Sequence, residues 1–130
     1  MLLPTTLTAL AAAIVINIWL SIRIGRLRTS EKISVGDGGH ELLGRRMRAQ
    51  LNFAENVPLV LLMVAGIELA GKGGVWLLPV AALFVLGRVA HGIGMDGGSM
   101  GWGRSAGTLI TMLTQLGLAI VAVLIVAQVM

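Results

Sequence analysis

Apolar and polar positions alternate in long blocks along this chain, with four apolar stretches separated by three short polar ones. The stretches predict helices over about residues 7–24, 42–70, 75–93 and 105–129, since a helix needs roughly 20 apolar residues to cross a bilayer. Glycine-rich segments mark the second and third connections. The pattern predicts an all-α membrane protein, a four-transmembrane-helix bundle in which residues 1–130 form a single domain.

Composition supports this interpretation. Hydrophobic residues make up 56% of the chain and charged residues only 12%, and the mean hydropathy is +0.91. A water-soluble domain needs far more polar surface than this, so lipid is the predicted solvent. There is no cysteine and there are only two histidines. No disulfide and no metal site is therefore predicted, and any thiol chemistry needs a thiol that a ligand brings.

The cations are distributed unevenly between the connections. Two of them, Arg88 and Arg104, flank the third connection, and the second carries only Lys72. The remaining cations surround the first connection: Arg23, Arg26, Arg28, Lys32, Arg45, Arg46 and Arg48. The positive-inside rule then predicts that connections one and three are cytoplasmic and that both termini lie outside. Because topology explains the net charge of +4, no nucleic-acid partner is predicted.

Helix two carries polar residues that lipid should not tolerate. Arg48, Asn52 and Glu55 are spaced i, i+4 and i+7, so they share one helical face; we call them the polar stripe. An ionisable group at membrane depth costs at least about 2.5 kcal/mol, so such groups normally face protein or a polar cavity. Pro58, three residues after Glu55, predicts a kink just beyond the stripe.

Helices three and four add further polar residues in the same half of the bundle. Arg88 and His91 are three residues apart, Arg104 opens helix four, and Ser105 is the predicted N-cap of that helix. One pocket near the cytoplasmic membrane surface could hold these residues and the polar stripe together. The alternative is an ion-paired network of Arg48, Glu55 and Arg88 that ties helices together without a ligand.

Helix four also carries small and polar residues suited to close helix contact in lipid, namely Gly103, Gly107, Thr111, Thr114 and Gln115. Packing within one subunit and packing between subunits explain this pattern equally well.

Three motifs carry a family resemblance. The run RAQLNFAENVP over 48–58 resembles the helix-two signature RAQxNxxExxP of the MAPEG family, the membrane-associated proteins in eicosanoid and glutathione metabolism. RVAH over 88–91 resembles the helix-three motif RxxH of that family, and Arg104 with Ser105 matches an arginine and serine at the start of helix four. The loop GDGG over 36–39 further resembles the small bacterial branch of the family, which implies a bacterial inner membrane.

The resemblance implies a homotrimer with glutathione in a cytoplasm-facing cleft between neighbouring subunits. Arg48 would take a carboxylate of the tripeptide and Glu55 its ammonium, with Asn52 beside them. Arg104 would lie beside the sulfur, where a cation favours the nucleophilic thiolate. The other binding residues that the resemblance implies are Arg26, Arg88, His91 and Ser105.

Three functional hypotheses remain open. The first is a glutathione S-transferase or peroxidase that acts on lipophilic electrophiles reaching the sulfur from the bilayer. The second is a non-catalytic lipid-binding scaffold of the same fold, because the chain has no tyrosine. The resemblance implies tyrosines on helices two and three, where Asn56 and Met95 stand here. The third is a small proton-coupled exporter that uses Glu55.

Overall fold

The computed structural model describes residues 1–99 and 101–130, and this part of the chain is helical without any strand. The helices are α1 (Pro4–Glu31), α2 (Glu41–Leu69), α3 (Gly74–Gly94) and α4 (Trp102–Val126), and a single 3-10 turn, Met95–Gly97, follows α3. All four helices are long and apolar enough to cross a membrane. The predicted all-α bundle with four membrane-spanning helices is therefore confirmed.

Helix α1 continues seven residues beyond its predicted end at Ile24, so Arg26 is helical and does not belong to the first connection. The helix ends at Lys32, whose left-handed φ of 55° turns the backbone while its N–H reaches the carbonyl of Arg28. The prediction used hydropathy alone, and the polar last turns of α1 fell below that signal. Backbone hydrogen bonds nevertheless continue the helix through these polar turns.

The helix starts also refine the prediction. His40 caps α2, because its Nδ1 accepts the backbone N–H of Leu43 at 3.2 Å. Gly101 is the N-cap of α4, so the prediction that Ser105 caps this helix is wrong. Ser105 lies inside the first turns of α4. Helix α2 runs through Pro58 as one continuous element.

Helices α3 and α4 form the most extensive pair in the bundle, followed by α1 and α2. Glycine makes the first pair possible, because a Cβ on Gly107 would come within 2.5 Å of the Gly87 carbonyl oxygen. The small residues predicted for helix contact thus pack within one subunit at this position. The apolar core lies between the helices, while many large apolar side chains of each span are exposed outwards, as a lipid environment requires.

The end of the bundle away from the first connection is closed by Glu68 near the end of α2. Its carboxylate accepts the backbone N–H groups of Thr5 and Thr6 at 2.9 and 2.8 Å, and the Thr6 hydroxyl at 2.7 Å. Helix α1 begins with Pro4 and has no cap of its own, so a neighbouring helix satisfies its first donors. Sequence reasoning missed this contact because it joins residues more than 60 positions apart.

Candidate functional site

The polar stripe lies on the outward face of α2. Arg48 and Glu55 are exposed and Asn52 is half-buried, and the exposed Leu59 and Leu62 continue the same face. Glu55 is the fifteenth of the 29 residues of α2, which is the midpoint of this helix. Within the described residues neither Arg48 nor Glu55 forms an ion pair. Two charged side chains without ion-pair partners therefore lie on a face that would contact lipid if the subunit were alone.

Arg88 lies inside the subunit and is only 2% exposed. Its Nη2 donates to Asn52 Oδ1 at 2.6 Å, and its Nη1 donates to Thr111 Oγ1 at 2.9 Å. Its Nε is buried without a partner. Arg88 thus joins α3 to α2 and α4 through neutral oxygens, and none of the ion pairs in the described chain includes it.

A second polar bridge lies one turn further along α2. Gln115 Nε2 donates to Asn56 Oδ1 at 2.9 Å, and Asn56 Nδ2 donates to the backbone oxygen of Asn52 at 2.7 Å. Asn56 stands where the resemblance implies a tyrosine that contacts glutathione. Here the amide oxygen of Asn56 joins α2 to α4, and its amide nitrogen bonds within α2, so both ends of the side chain are used inside the subunit.

His91 and Arg104 lie where α3 meets the start of α4. His91 is 3% exposed and Arg104 is half-buried. The helix ends approach closely because Gly94 has no side chain, and its Cα faces the backbone at Gly103 and Arg104. A Cβ at Gly94 would collide with that backbone, so this glycine fixes how near the start of α4 lies to α3.

Two further predicted residues occupy different environments. Arg26 is exposed on α1, and Ser105 is half-buried in the first turns of α4. Met95, the other position where the resemblance implies a tyrosine, is 8% exposed and belongs to the core. A methionine buried here offers no hydroxyl to a ligand.

A cleft of about 1100 Å³ opens between α1, α2 and the first connection. Arg48 lines it together with Arg28, Arg45 and the apolar side chains of Ile24 and Leu51. The rest of the predicted set lies outside it: Asn52, Glu55, Arg88, His91, Arg104, Arg26 and Ser105. Apart from Arg26 on α1, one subunit therefore divides the predicted residues into an outer group on α2 and an inner group on α3 and α4, and Asn52 connects the two.

Two of the ion pairs of this end lie around Asp96 in the 3-10 turn. Its carboxylate pairs with Arg23 of α1 and accepts Nε and Nη2 of Arg46 at 3.2 and 3.1 Å. Arg23 also donates to the Gly92 carbonyl and stacks over Trp19. We call Arg23, Asp96 and Arg46 the clamp. Sequence reasoning missed Asp96. The feature that could have indicated its role is a single carboxylate in a glycine-rich turn, in a chain whose first connection is rich in cations.

The alternative network of Arg48, Glu55 and Arg88 is absent from the described part of one subunit. Its ion pairs are those of the clamp, Arg45 with Glu41, and His40 near Glu31.

Comparison with known proteins adds one finding: the model of the MAPEG family matches residues 6–124, nearly the whole chain. No curated protein and no solved structure gives a significant match.

Proposed function

The chain belongs to the MAPEG family and is a multi-pass integral membrane protein of glutathione- or eicosanoid-related function; from this premise we propose that it binds glutathione and transfers the thiol to lipophilic electrophiles. The family generally uses glutathione as substrate or cofactor. The residues that we assign to glutathione binding are Arg48, Asn52, Glu55, Arg88, His91, Arg26 and Ser105, and Arg104 is the proposed catalytic residue.

The observation that carries the proposal is the unpaired charge on the polar stripe. Glu55 lies at the middle of helix α2 and Arg48 about two turns before it, both exposed and without an ion pair among the described residues. Such groups are costly against lipid, so something must cover them. A ligand with two carboxylates and an ammonium offers Arg48 an anion and Glu55 a cation, and arginine suits two-point binding of a carboxylate.

A second subunit completes this arrangement. One subunit leaves the outer group on α2 apart from Arg104 on α4, so the sulfur of a ligand on the stripe would need an arginine from elsewhere. We propose a homotrimer in which the outer group of one subunit faces Arg104 of the next, with connections one and three in the cytoplasm. The glutathione cleft then lies at this interface and opens to lipid on one side.

Arg104 would stabilise the thiolate of bound glutathione. A free thiol has a pKa of about 8.5, and an adjacent cation lowers it, so more of the sulfur is in its nucleophilic form at neutral pH. The thiol proton passes to solvent, the sulfur forms a bond to the electrophilic carbon, and the leaving group departs with the electrons of the broken bond. An electrophile dissolved in the bilayer approaches from the lipid side.

The test is isothermal titration of the detergent-solubilised protein with glutathione, followed by conjugation of a model electrophile. We expect micromolar to millimolar binding, since that range covers ordinary substrate affinities. Arg104→Ala should remove at least about 90% of the conjugation rate, and the thiolate absorbance of bound glutathione should fall with it, while most of the affinity remains. Lys72→Ala, on the opposite connection, is the matched control and should behave as wild type. Absence of glutathione binding would overturn the proposal.

The non-catalytic lipid-binding scaffold is the second candidate, and the Asn56 bridge favours it. With Asn56 tied to Gln115 and Met95 in the core, two ligand contacts implied by the resemblance are replaced by internal packing. A lipid that co-purifies in the proposed glutathione cleft between subunits and is not displaced by glutathione would support this function. No specific observation favours the proton-coupled exporter.

A further inference from the structure

The side-chain amide of Asn52 has a fixed orientation, and Arg88 fixes it. A guanidinium carries only N–H donors, so the Asn52 atom 2.6 Å from Arg88 Nη2 has to be the amide oxygen. The amide nitrogen is therefore turned away from Arg88, and within the described residues it donates to no partner. Half-buried Asn52 lies on the polar stripe between Arg48 and Glu55.

We propose that Arg88 is a positioning residue: it holds the Asn52 amide with both N–H donors presented to the ligand, so that the site takes a carboxylate oxygen at this point. This rests on the proposed glutathione function and changes the role of Arg88 within it. The 2% exposure of Arg88 leaves no surface for a direct ligand contact in one subunit. Its effect reaches the ligand through Asn52.

The charge of Arg88 strengthens this preference for an anion. Its partners Asn52 and Thr111 are neutral, and its Nε has no partner. A cation in a low-dielectric interior polarises the amide that it binds, which makes the opposite N–H groups stronger donors. An anionic carboxylate gains more from such donors than a neutral carboxamide does. The Arg88–Asn52 pair should therefore distinguish the charge of a ligand group as well as its shape.

The first test measures this charge preference directly. Glutathione and its two mono-carboxamide analogues, each neutralising one carboxylate, are titrated against wild type, Arg88→Met and Arg88→Lys. Wild type should discriminate against one analogue, and Arg88→Met should shrink that affinity ratio at least about threefold. Arg88→Lys keeps the charge and a donor, so it should retain the ratio. An equal loss of affinity for all three ligands in Arg88→Met would show a merely structural role and overturn the proposal.

The second test keeps Arg88 and changes Asn52. In Asn52→Asp the carboxylate still accepts from Arg88, so the fold should persist, but the two N–H donors are gone and a negative charge faces the ligand. Glutathione affinity should fall at least about tenfold, while the unfolding temperature stays at or above the wild-type value. Wild-type affinity in Asn52→Asp would overturn the proposal. This result is decisive even where Arg88→Met does not fold.

The third test needs no ligand and separates this inference from the proposed function. Unfolding temperatures are compared for Asn52→Leu, Arg88→Met and the double variant. Each single change leaves its partner orphaned, so the double variant should lose less than the two single losses combined. The matched pair Asn17→Leu with Arg88→Met should be additive, because exposed Asn17 on α1 makes no hydrogen bond with Arg88. Additive losses for Asn52 and Arg88 would overturn the positioning role, whereas failure of wild type to bind glutathione overturns only the proposed function.

Discussion

Two groups of charged side chains differ in whether the subunit itself completes them. The clamp holds Asp96 between arginines of α1 and α2, so each charge has a partner within the fold. The polar stripe leaves Arg48 and Glu55 exposed on α2 without an ion pair in the described chain. Both groups belong to a membrane protein, in which an unpaired charge is costly.

The difference separates charges that maintain the fold from charges available to a ligand. Opposite charges that already pair inside a subunit have little free charge with which to bind a ligand. Charges that remain unpaired on a membrane span are costly unless another molecule covers them. The clamp should therefore control stability, and the polar stripe should control binding.

Removing the shared carboxylate of the clamp should have the largest effect. Asp96→Ala leaves two partly buried guanidinium groups without an anion, and we expect the free energy of unfolding to fall by about 3 kcal/mol. Thermal unfolding in detergent measures it. Glu41→Ala is the matched control: Glu41 pairs with Arg45 but its side chain is 84% exposed, so the loss should stay below about 0.5 kcal/mol. Equal losses in both variants would erase the distinction between clamp and surface pairs.

The polar stripe should show the opposite behaviour. Arg48→Gln and Glu55→Gln should each reduce glutathione affinity about tenfold, because a hydrogen bond to a charged group contributes about 1.5–3 kcal/mol. Their unfolding temperatures without ligand should remain near wild type, as neither charge has an internal partner. Titration and thermal unfolding of the same preparations check both expectations. A variant that unfolds early but binds glutathione normally would assign the stripe to the fold.

Glu68 extends the comparison to the other end of the bundle, where a paired carboxylate is also expected to be structural. Glu68→Ala removes the acceptor of the first α1 donors, and we expect a loss of about 1 kcal/mol in the free energy of unfolding, as for other N-caps. Glutathione affinity should not change. Earlier hydrogen exchange at Thr5 and Thr6 than at the middle of α1 would locate the loss, and a drop in affinity would contradict it.

The smallest effect is expected from Gln50, whose Nε2 donates to Ser21 Oγ at 2.9 Å on the exposed side of the bundle. Gln50→Ala should change the free energy of unfolding by less than about 0.5 kcal/mol. Gln50 also lines the cleft that contains Arg48, so the same variant shows how far the ligand extends. Unchanged glutathione affinity confines the ligand to the polar stripe, and a clear loss extends the site into the cleft.

Much of the fold followed from sequence because bilayer thickness sets the length of an apolar span. The four helices and their order were predicted correctly, and the close approach at Gly107 agreed with the expected small-residue packing. The predicted end of α1 was seven residues too early, and the predicted N-cap of α4 was four residues too late. Hydropathy does not detect polar helical turns or backbone caps. The motif residues Arg48, Asn52 and Glu55 were also correctly placed on one helical face.

The sequence by itself determined the membrane setting, the number of spans, the family and the residue types of the polar stripe, because these depend on local periodicity and short motifs. Only the tertiary structure decided which charges meet. It paired Asp96 with Arg23 and Arg46, and it turned Arg88 inwards to Asn52 and Thr111. Such pairings join residues between about 20 and 70 positions apart, and helix rotation and packing, which no local pattern encodes, select them.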